Sequence, residues 1–160
     1  MSIIVFSRPI RSGKTGSLLQ WSKQQHNVQG FLMPDVEGKR HLHDIGSGES
    51  HLIECEDPTH SPEALQQIGR FYFYAEMFRK ANKKLVDWVT QEPEWLVLDE
   101  LGKLELLHQG FYDALPTLIA AASAPQYTGK LVLVIREGLY EDAIQYFKIP
   151  VHQRVQEWNP

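Results

Sequence analysis

Two short stretches of this chain have the residues that phosphate chemistry requires. The first is SRPIRSGKTG, residues 7–16. It ends in Gly13, Lys14 and Thr15, the last three positions of the phosphate-loop pattern G-x-x-x-x-G-K-S/T. The glycine lets the backbone close on phosphates, the lysine reaches the outer phosphate oxygens, and the hydroxyl takes a position on Mg²⁺. Where the pattern has its first glycine, this chain has Arg8.

The second stretch is WLVLDE, in which the apolar run from Trp95 to Leu98 is followed by Asp99 and Glu100. A buried strand that ends in an aspartate is a usual way to hold the water shell of Mg²⁺ in enzymes that act on phosphates. The adjacent glutamate could orient or deprotonate an attacking water. Two acids after a strand are common in loops. The pair indicates a phosphate site chiefly because it lies downstream of the glycine-lysine-threonine stretch.

Together the two stretches predict a site for a nucleoside triphosphate with Mg²⁺ as the cofactor. Lys14 and Glu100 are the predicted catalytic residues, and Thr15 and Asp99 are the predicted ligands of Mg²⁺. The predicted phosphate-binding residues are consecutive: Arg11, Ser12, Gly13, Lys14, Thr15 and Gly16.

The segments around both stretches favour an α/β fold with a mostly parallel sheet flanked by helices. Apolar runs predict strands at residues 3–6, 95–98 and 130–135, and helix-compatible segments lie at 15–25, 75–90, 111–122 and 139–147. Short runs separated by glycines predict a small antiparallel meander at about 28–55, and the tail is weakly structured or a final edge strand. Ligands of such sheets bind at the carboxyl ends of the strands, where both stretches fall.

Composition indicates the number of domains, the class of protein and its location. The 160 residues are predicted to form one domain, 1–160, and 42% hydrophobic residues are typical of a protein that folds in water. The net charge of -4 gives no strong signal for nucleic acid or for an anionic membrane. The single cysteine, Cys55, and the short apolar start predict a cytoplasmic protein with no membrane segment.

The segment DELGKLEL, from Asp99 to Leu106, resembles the Walker B block of the small P-loop nucleoside-triphosphatases first described from thermophiles, in which D-E-I/L-G-K-M/L-E follows apolar residues. The stretch from Gly30 to Glu49 is similar to that family's hairpin, with G-F at one end, then G-x-R, then an apolar strand. Phe111, Leu115 and Pro116 also match the family's pattern after the Walker B acids.

The resemblance implies a RecA-like core and Mg²⁺-dependent hydrolysis of several nucleoside triphosphates to diphosphates, with little base selectivity. It implies that Lys14 and Thr15 are the Walker A pair, that Asp99 is the Walker B residue for Mg²⁺, and that Glu100 is the catalytic glutamate. The departure from the family is that Arg8 and Arg11 stand where its loop has glycines.

These arginines leave alternatives open. Arg8 and Arg11 either face solvent or add hydrogen bonds to the phosphates, one of them acting as an arginine finger from within the chain. Arg136, which follows an apolar run, is either a further site residue or half of a surface ion pair. If Arg8 and Arg11 remodel the loop, the alternative function is a nucleotide-binding switch or partner module with little hydrolysis. A second alternative is a small nucleotide or nucleoside kinase, in which Asp99 or Glu100 would serve an acceptor hydroxyl. A protein partner is not identifiable from the sequence.

Three further groups of residues have two interpretations each. His41, His43, His51 and Cys55 could hold a metal ion, but their spacing matches no common zinc site, which favours half-exposed histidines on a meander. Lys103 and Glu105 either form a wall of the phosphate pocket or make an exposed ion pair. The aromatic run from Phe71 to Tyr74 could stack on a nucleobase, although packing in the core is favoured.

Overall fold

A computed structural model describes residues 2–9 and 13–160 of the chain. The strands within these residues are β1 (Ile3–Arg8), β2 (Val28–Leu32), β3 (Asp35–Val36), β4 (Lys39–Asp44), β5 (Ser50–Leu52), β6 (Leu65–Ile68), β7 (Phe71–Tyr74), β8 (Trp95–Leu101), β9 (Lys130–Arg136) and β10 (Gln153–Val155). The α-helices are α1 (Lys14–Ser22), α2 (Ala75–Thr90), α3 (Lys103–Leu106), α4 (Leu115–Ser123) and α5 (Tyr140–Tyr146).

The centre of the fold is a parallel sheet in the order β10-β1-β9-β8-β2. Its middle strands are continuous apolar runs that are buried along most of their length, as strands covered on both faces require. Because β1, β9 and β8 are neighbours and parallel, their carboxyl ends meet at one edge of the sheet. The predicted α/β fold class is therefore confirmed.

The predicted antiparallel meander is present, but its first strand also belongs to the parallel core. Strand β2 pairs in parallel with β8 on one side and antiparallel with β4 on the other, and β3 and β5 both pair antiparallel with β4. Sequence periodicity did not separate these two roles of β2, because a short apolar run has the same pattern in either setting. The tail contains β10, a parallel edge strand next to β1, which agrees with one of the two predicted alternatives.

Helices cover both faces of the sheet. On one face, apolar side chains of α2 and α4 pack against β1, β8 and β9 in the larger buried cluster. On the other face, Leu18 of α1 packs with Phe6 and Val97, and Trp21, Trp95 and Trp158 close the edge of that cluster with edge-to-face ring contacts. None of the helices in the described part of the chain is long and apolar enough to cross a membrane.

Two elements were not predicted from the sequence. Strands β6 and β7 form a separate antiparallel hairpin, with Ile68 opposite Phe71 and a two-residue turn at Gly69 and Arg70. Gly69 has φ 57°, a left-handed conformation that suits the first central position of a tight hairpin turn. The short helix α3 follows β8 directly and packs against β6, so the hairpin lies beside the end of the Walker B segment.

Candidate nucleotide site

A cavity of about 790 Å³ opens at the sheet edge where β1, β9 and β8 end. Its lining includes residues 13–16 at the start of α1, Glu100 at the end of β8 and Arg136 at the end of β9. Two of the predicted phosphate-binding residues, Arg11 and Ser12, lie outside the described residues. The described part of the predicted phosphate loop and Glu100 of β8 thus face one cavity.

Gly13 and Lys14 form the junction between the loop and α1. Gly13 precedes the helix with φ 81° and ψ 21°, a left-handed conformation that glycine adopts without steric cost. Lys14 is buried, and its Nζ donates hydrogen bonds to the carbonyl oxygens of Arg8 at 3.4 Å and Pro9 at 3.2 Å. Burial lowers the pKa of the Lys14 ammonium, while the negative charges of Glu100 and Asp99 act in the opposite direction. The Lys14 ammonium is therefore held beside the backbone at the end of β1.

Thr15 and Asp99 join the two predicted halves of the site. The Thr15 hydroxyl donates a hydrogen bond to Asp99 Oδ2 at 2.7 Å, across 84 positions of the sequence. The backbone N–H of Met33, just after β2, donates to the same oxygen at 3.0 Å. The start of α1 and the ends of β2 and β8 are thereby tied to one carboxylate.

The surroundings of Asp99 fit a cation. The residue is fully buried, and its Oδ1 has no hydrogen-bond partner among the described residues. Burial and the neighbouring Glu100 raise the pKa of Asp99 to about 6, against the hydrogen bonds from Met33 and Thr15, which lower it. A hydroxyl and a carboxylate with a free oxygen are the hard oxygen donors that Mg²⁺ prefers, so Thr15 and Asp99 fit the predicted cofactor.

Glu100 follows Asp99 in a different environment because the strand is irregular there. Leu98 pairs with Leu133 and Leu101 with Ile135, so two residues of β8 stand opposite one residue of β9. Such a bulge redirects side chains, and Glu100 has φ 63°, which is costly for a residue other than glycine. The Glu100 side chain is 41% exposed and reaches the cavity, whereas Asp99 remains buried beneath it.

Arg40 is a site residue that sequence reasoning missed. It lies in β4 and lines the same cavity; its Nη1 donates to the carbonyl oxygen of Met33 at 2.8 Å and lies 3.5 Å from Glu100 Oε1. The backbone N–H of Arg40 donates to the buried carboxylate of Glu54. The sequence signal for Arg40 is the G-x-R of the hairpin, Gly38 to Arg40, which marks the family resemblance but does not by itself indicate a contact with Glu100.

The other basic and acidic candidates have separate outcomes. Arg136 lines the cavity and pairs in register with Arg8, at the ends of neighbouring strands. Lys103 and Glu105 both line it as well, but they do not form the exposed ion pair that was the alternative. Glu105 is buried and accepts hydrogen bonds from the N–H groups of Gly102 at 2.8 Å and Phe111 at 2.9 Å.

The histidine and aromatic groups also separate in the structure. Among the described residues, no three histidine, cysteine or acidic side chains converge on a possible metal position; His43 contacts Ser50 and His51 contacts Glu49. In the aromatic run, Phe73 is buried against Phe78, as core packing predicts. Phe71 is not buried and lines the cavity, so the interpretation as core packing is wrong for this residue.

The fold and the site together define a class. A parallel sheet, a glycine-lysine-threonine start of α1 and a buried aspartate at the end of β8 are the features of the P-loop nucleoside-triphosphatase fold. The crystal structure of THEP1 from the hyperthermophile Aquifex aeolicus has the same fold, with a TM-score of 0.72 and 14% sequence identity over 96% of this chain and 88% of that one.

Within that class, the chain is similar to the nucleoside-triphosphatase THEP1 of Thermotoga sp. (strain RQ2). The two are 28% identical over 119 residues, which cover 69% of this chain and 63% of the relative. The chain thus spans less than two thirds of that relative's length, and no family model matches it. The similarity confirms the resemblance to the small P-loop nucleoside-triphosphatases that was predicted from Asp99 to Leu106.

Proposed function

We propose that this protein hydrolyses nucleoside triphosphates to diphosphates and phosphate, with Mg²⁺ as cofactor and with little base selectivity. The observation that carries the proposal is the hydrogen bond from Thr15 to Asp99, because it joins the phosphate-loop helix to the acid that follows the apolar strand. The name of the Thermotoga relative, a nucleoside-triphosphatase, supports the same reaction.

Lys14 and the start of α1 bind the triphosphate in this proposal. The unpaired N–H groups at a helix start carry partial positive charge, and phosphates bind there. The Lys14 ammonium, now on the carbonyl oxygens of Arg8 and Pro9, would turn to the outer phosphate oxygens. Arg136, at the end of β9, adds a further cation to the same cavity.

Thr15 and Asp99 would hold the metal ion, and Glu100 would act on the attacking water. Mg²⁺ bound with the nucleotide would neutralise phosphate charge and favour attack at the γ-phosphorus. Glu100 would accept a proton as the water oxygen bonds to the γ-phosphorus and the bond from that phosphorus to the β-phosphate oxygen breaks. Arg40, 3.5 Å from Glu100 Oε1, holds this carboxylate in the cavity.

The test is phosphate release from ATP, GTP, CTP and UTP, with and without Mg²⁺, by the wild type and by Lys14→Ala. We expect Mg²⁺-dependent release from all four, lower by about 100-fold or more in Lys14→Ala, because a preorganised charge on the phosphates is lost. Lys23→Ala is the matched control, because Lys23 is an exposed lysine directly after the last residue of α1.

Release that persists in Lys14→Ala, or that needs no Mg²⁺, would contradict the assigned site. If the wild type releases no phosphate but binds a fluorescent nucleotide in a manner that depends on Lys14, the result would favour the switch or partner module over hydrolysis. The cytoplasmic location and the single domain, 1–160, remain predictions of the sequence.

A further inference from the structure

Phe71 is an exposed aromatic side chain inside the cavity of the nucleotide site. The large apolar side chains that are exposed in the described part of the chain are Val36, Phe71, Leu107, Tyr146 and Val151. Of these, Phe71 alone lines the cavity that holds the start of α1 and Glu100. It is 40% exposed although its neighbour Phe73, two positions along the same strand, is buried in the core.

A guanidinium group accompanies this ring. Arg70 Cζ lies 5.1 Å from the centroid of the Phe71 ring, within the range of a cation–π contact, and Arg70 also lines the cavity. Among the described residues Arg70 has no carboxylate partner within ion-pair distance. The turn of the β6–β7 hairpin therefore presents an aromatic surface and an uncompensated positive charge to the site.

The hairpin holds these two residues in place before any ligand arrives. Gln66 Oε1 accepts a hydrogen bond from the N–H of Gly110 at 2.7 Å, and the carbonyl oxygen of Tyr72 accepts one from the N–H of Cys55 at 2.8 Å. Phe73 fixes the second strand to the core through an edge-to-face contact with Phe78. A surface that is ordered in advance loses less entropy on binding.

We propose that Arg70 and Phe71 form a stacking site for a nucleobase. This proposal rests on the proposed function, because the base is that of the hydrolysed triphosphate or that of a second nucleotide bound beside it. A flat aromatic ring stacks on a phenyl or guanidinium surface, and the positive charge of Arg70 suits a ligand that carries phosphate. The cavity is continuous from residues 13–16 to this turn.

The same site accounts for little base selectivity. Discrimination between bases requires hydrogen bonds to their edges, whereas every base has a face that stacks. Neither amide side chain of the hairpin lines the cavity, and each has one group bonded within the protein: Gln66 Oε1 accepts from Gly110, and Gln67 Nε2 donates to the carbonyl oxygen of Gly69. Stacking on Phe71 would therefore hold purines and pyrimidines alike.

The experiment compares a ligand that has a base with one that has none. Dissociation constants of a β,γ-imido analogue of ATP and of inorganic tripolyphosphate are measured by calorimetry with Mg²⁺, for wild type, Phe71→Ala and Phe71→Trp. Tyr146→Ala is the matched control, because Tyr146 is also an exposed aromatic residue but lies outside the cavity. AMP binding in the presence of saturating analogue is measured for the same proteins.

If the base belongs to the triphosphate, Phe71→Ala weakens analogue binding by about tenfold or more relative to tripolyphosphate binding. Phe71→Trp, which keeps an aromatic ring at this position, binds the analogue as the wild type does. If it belongs to a second nucleotide, that ratio is unchanged, but AMP binds to the analogue complex of the wild type and about tenfold or more weakly to that of Phe71→Ala. The proposal is overturned if Phe71→Ala changes neither quantity, or if the wild type binds analogue and tripolyphosphate equally and AMP not at all.

These outcomes are independent of hydrolysis. Binding can depend on Phe71 while phosphate release is absent, in which case the proposed reaction fails and the stacking site stands. In the converse case, phosphate release is lost in Lys14→Ala while Phe71→Ala binds all three ligands as the wild type does. That result would support the proposed reaction and reject the stacking site.

Discussion

Asp99 and Glu100 are adjacent acids that the structure places in opposite environments. Asp99 is fully buried with Thr15 and Met33 as donors, and Glu100 is 41% exposed toward the cavity. A buried carboxylate with a free oxygen suits a metal ion, whereas a carboxylate at the cavity surface can meet water. The bulge in β8 and the left-handed backbone at Glu100 produce this division, at a cost of about 1 kcal/mol or more in local strain.

Replacement of Glu100 by glutamine should separate binding from hydrolysis. The amide retains the size of the side chain but accepts a proton poorly, so we expect kcat to fall by about 100-fold or more with nucleotide affinity unchanged. Single-turnover phosphate release and binding of a fluorescent nucleotide measure the two quantities. Glu49→Gln is the control, because Glu49 is an exposed glutamate outside the cavity. Wild-type turnover in Glu100→Gln would refute the role given to this residue.

The hairpin of β3 and β4 is the element that delivers Arg40 to the site. Its two strands pair with Asp35 opposite Arg40, and the carboxylate of Glu54 receives the Arg40 N–H at 3.1 Å and Lys39 Nζ at 3.3 Å. These contacts leave the Arg40 guanidinium free to bridge the carbonyl oxygen of Met33 and Glu100. Arg40 therefore acts through Glu100 as a positioning residue.

Arg40→Ala should lower kcat more than it raises KM. Loss of the guanidinium releases Glu100 from its contact, and a misplaced catalytic group costs about tenfold to 100-fold in rate. Steady-state kinetics with ATP measure the split, and Arg40→Lys should recover part of the rate because an ammonium can still pair with Glu100. The control is Lys39→Ala, which removes the neighbouring cation that pairs with Glu54 instead. An effect confined to KM would assign Arg40 to nucleotide binding.

At the scale of the whole molecule, the segment after β8 contains a buried carboxylate that affects stability. Glu105 accepts hydrogen bonds from Gly102 and Phe111 and is 2% exposed. Burial raises the pKa of Glu105 from 4.5 to about 7, although these hydrogen bonds lower it. Between those two pH values the unfolded chain has lost a proton that the folded protein keeps, so a rise in pH favours the unfolded chain.

The free energy of unfolding should therefore fall as the pH rises from about 4.5 to about 7, by about 3 kcal/mol at most from Glu105. Asp99 adds to the fall in the same direction below about pH 6. Chemical denaturation at a series of pH values measures the slope. Glu105→Gln should make it less steep, whatever the variant's absolute stability, whereas the exposed Glu49→Gln should leave it unchanged. An equal slope in Glu105→Gln would show that this carboxyl does not titrate as described.

Much of the fold was predictable because its signals are local. The apolar residues of α2 recur at spacings of three and four, and the runs of β1, β8 and β9 are long enough to mark buried strands. The short elements were not predictable in the same way. The four residues of α3 are too few to show a helical period. The aromatic residues of β7 are typical of a core strand, and the pairing of β7 with β6 is not visible in that composition.

Local sequence is sufficient to show which chemistry the chain can support. Lys14 and Thr15 follow a glycine, and Asp99 and Glu100 follow an apolar strand, so both pairs are recognisable from their neighbours. How these two pairs meet depends on the three-dimensional fold. The bond from Thr15 to Asp99 spans 84 positions, and Arg40 reaches Glu100 from another strand. Phe71 and Phe73 both line the cavity, but Phe71 is exposed there while Phe73 is buried in the core. The physical reason is that local patterns specify elements, whereas contacts between distant residues depend on how strands pair and which faces the helices cover.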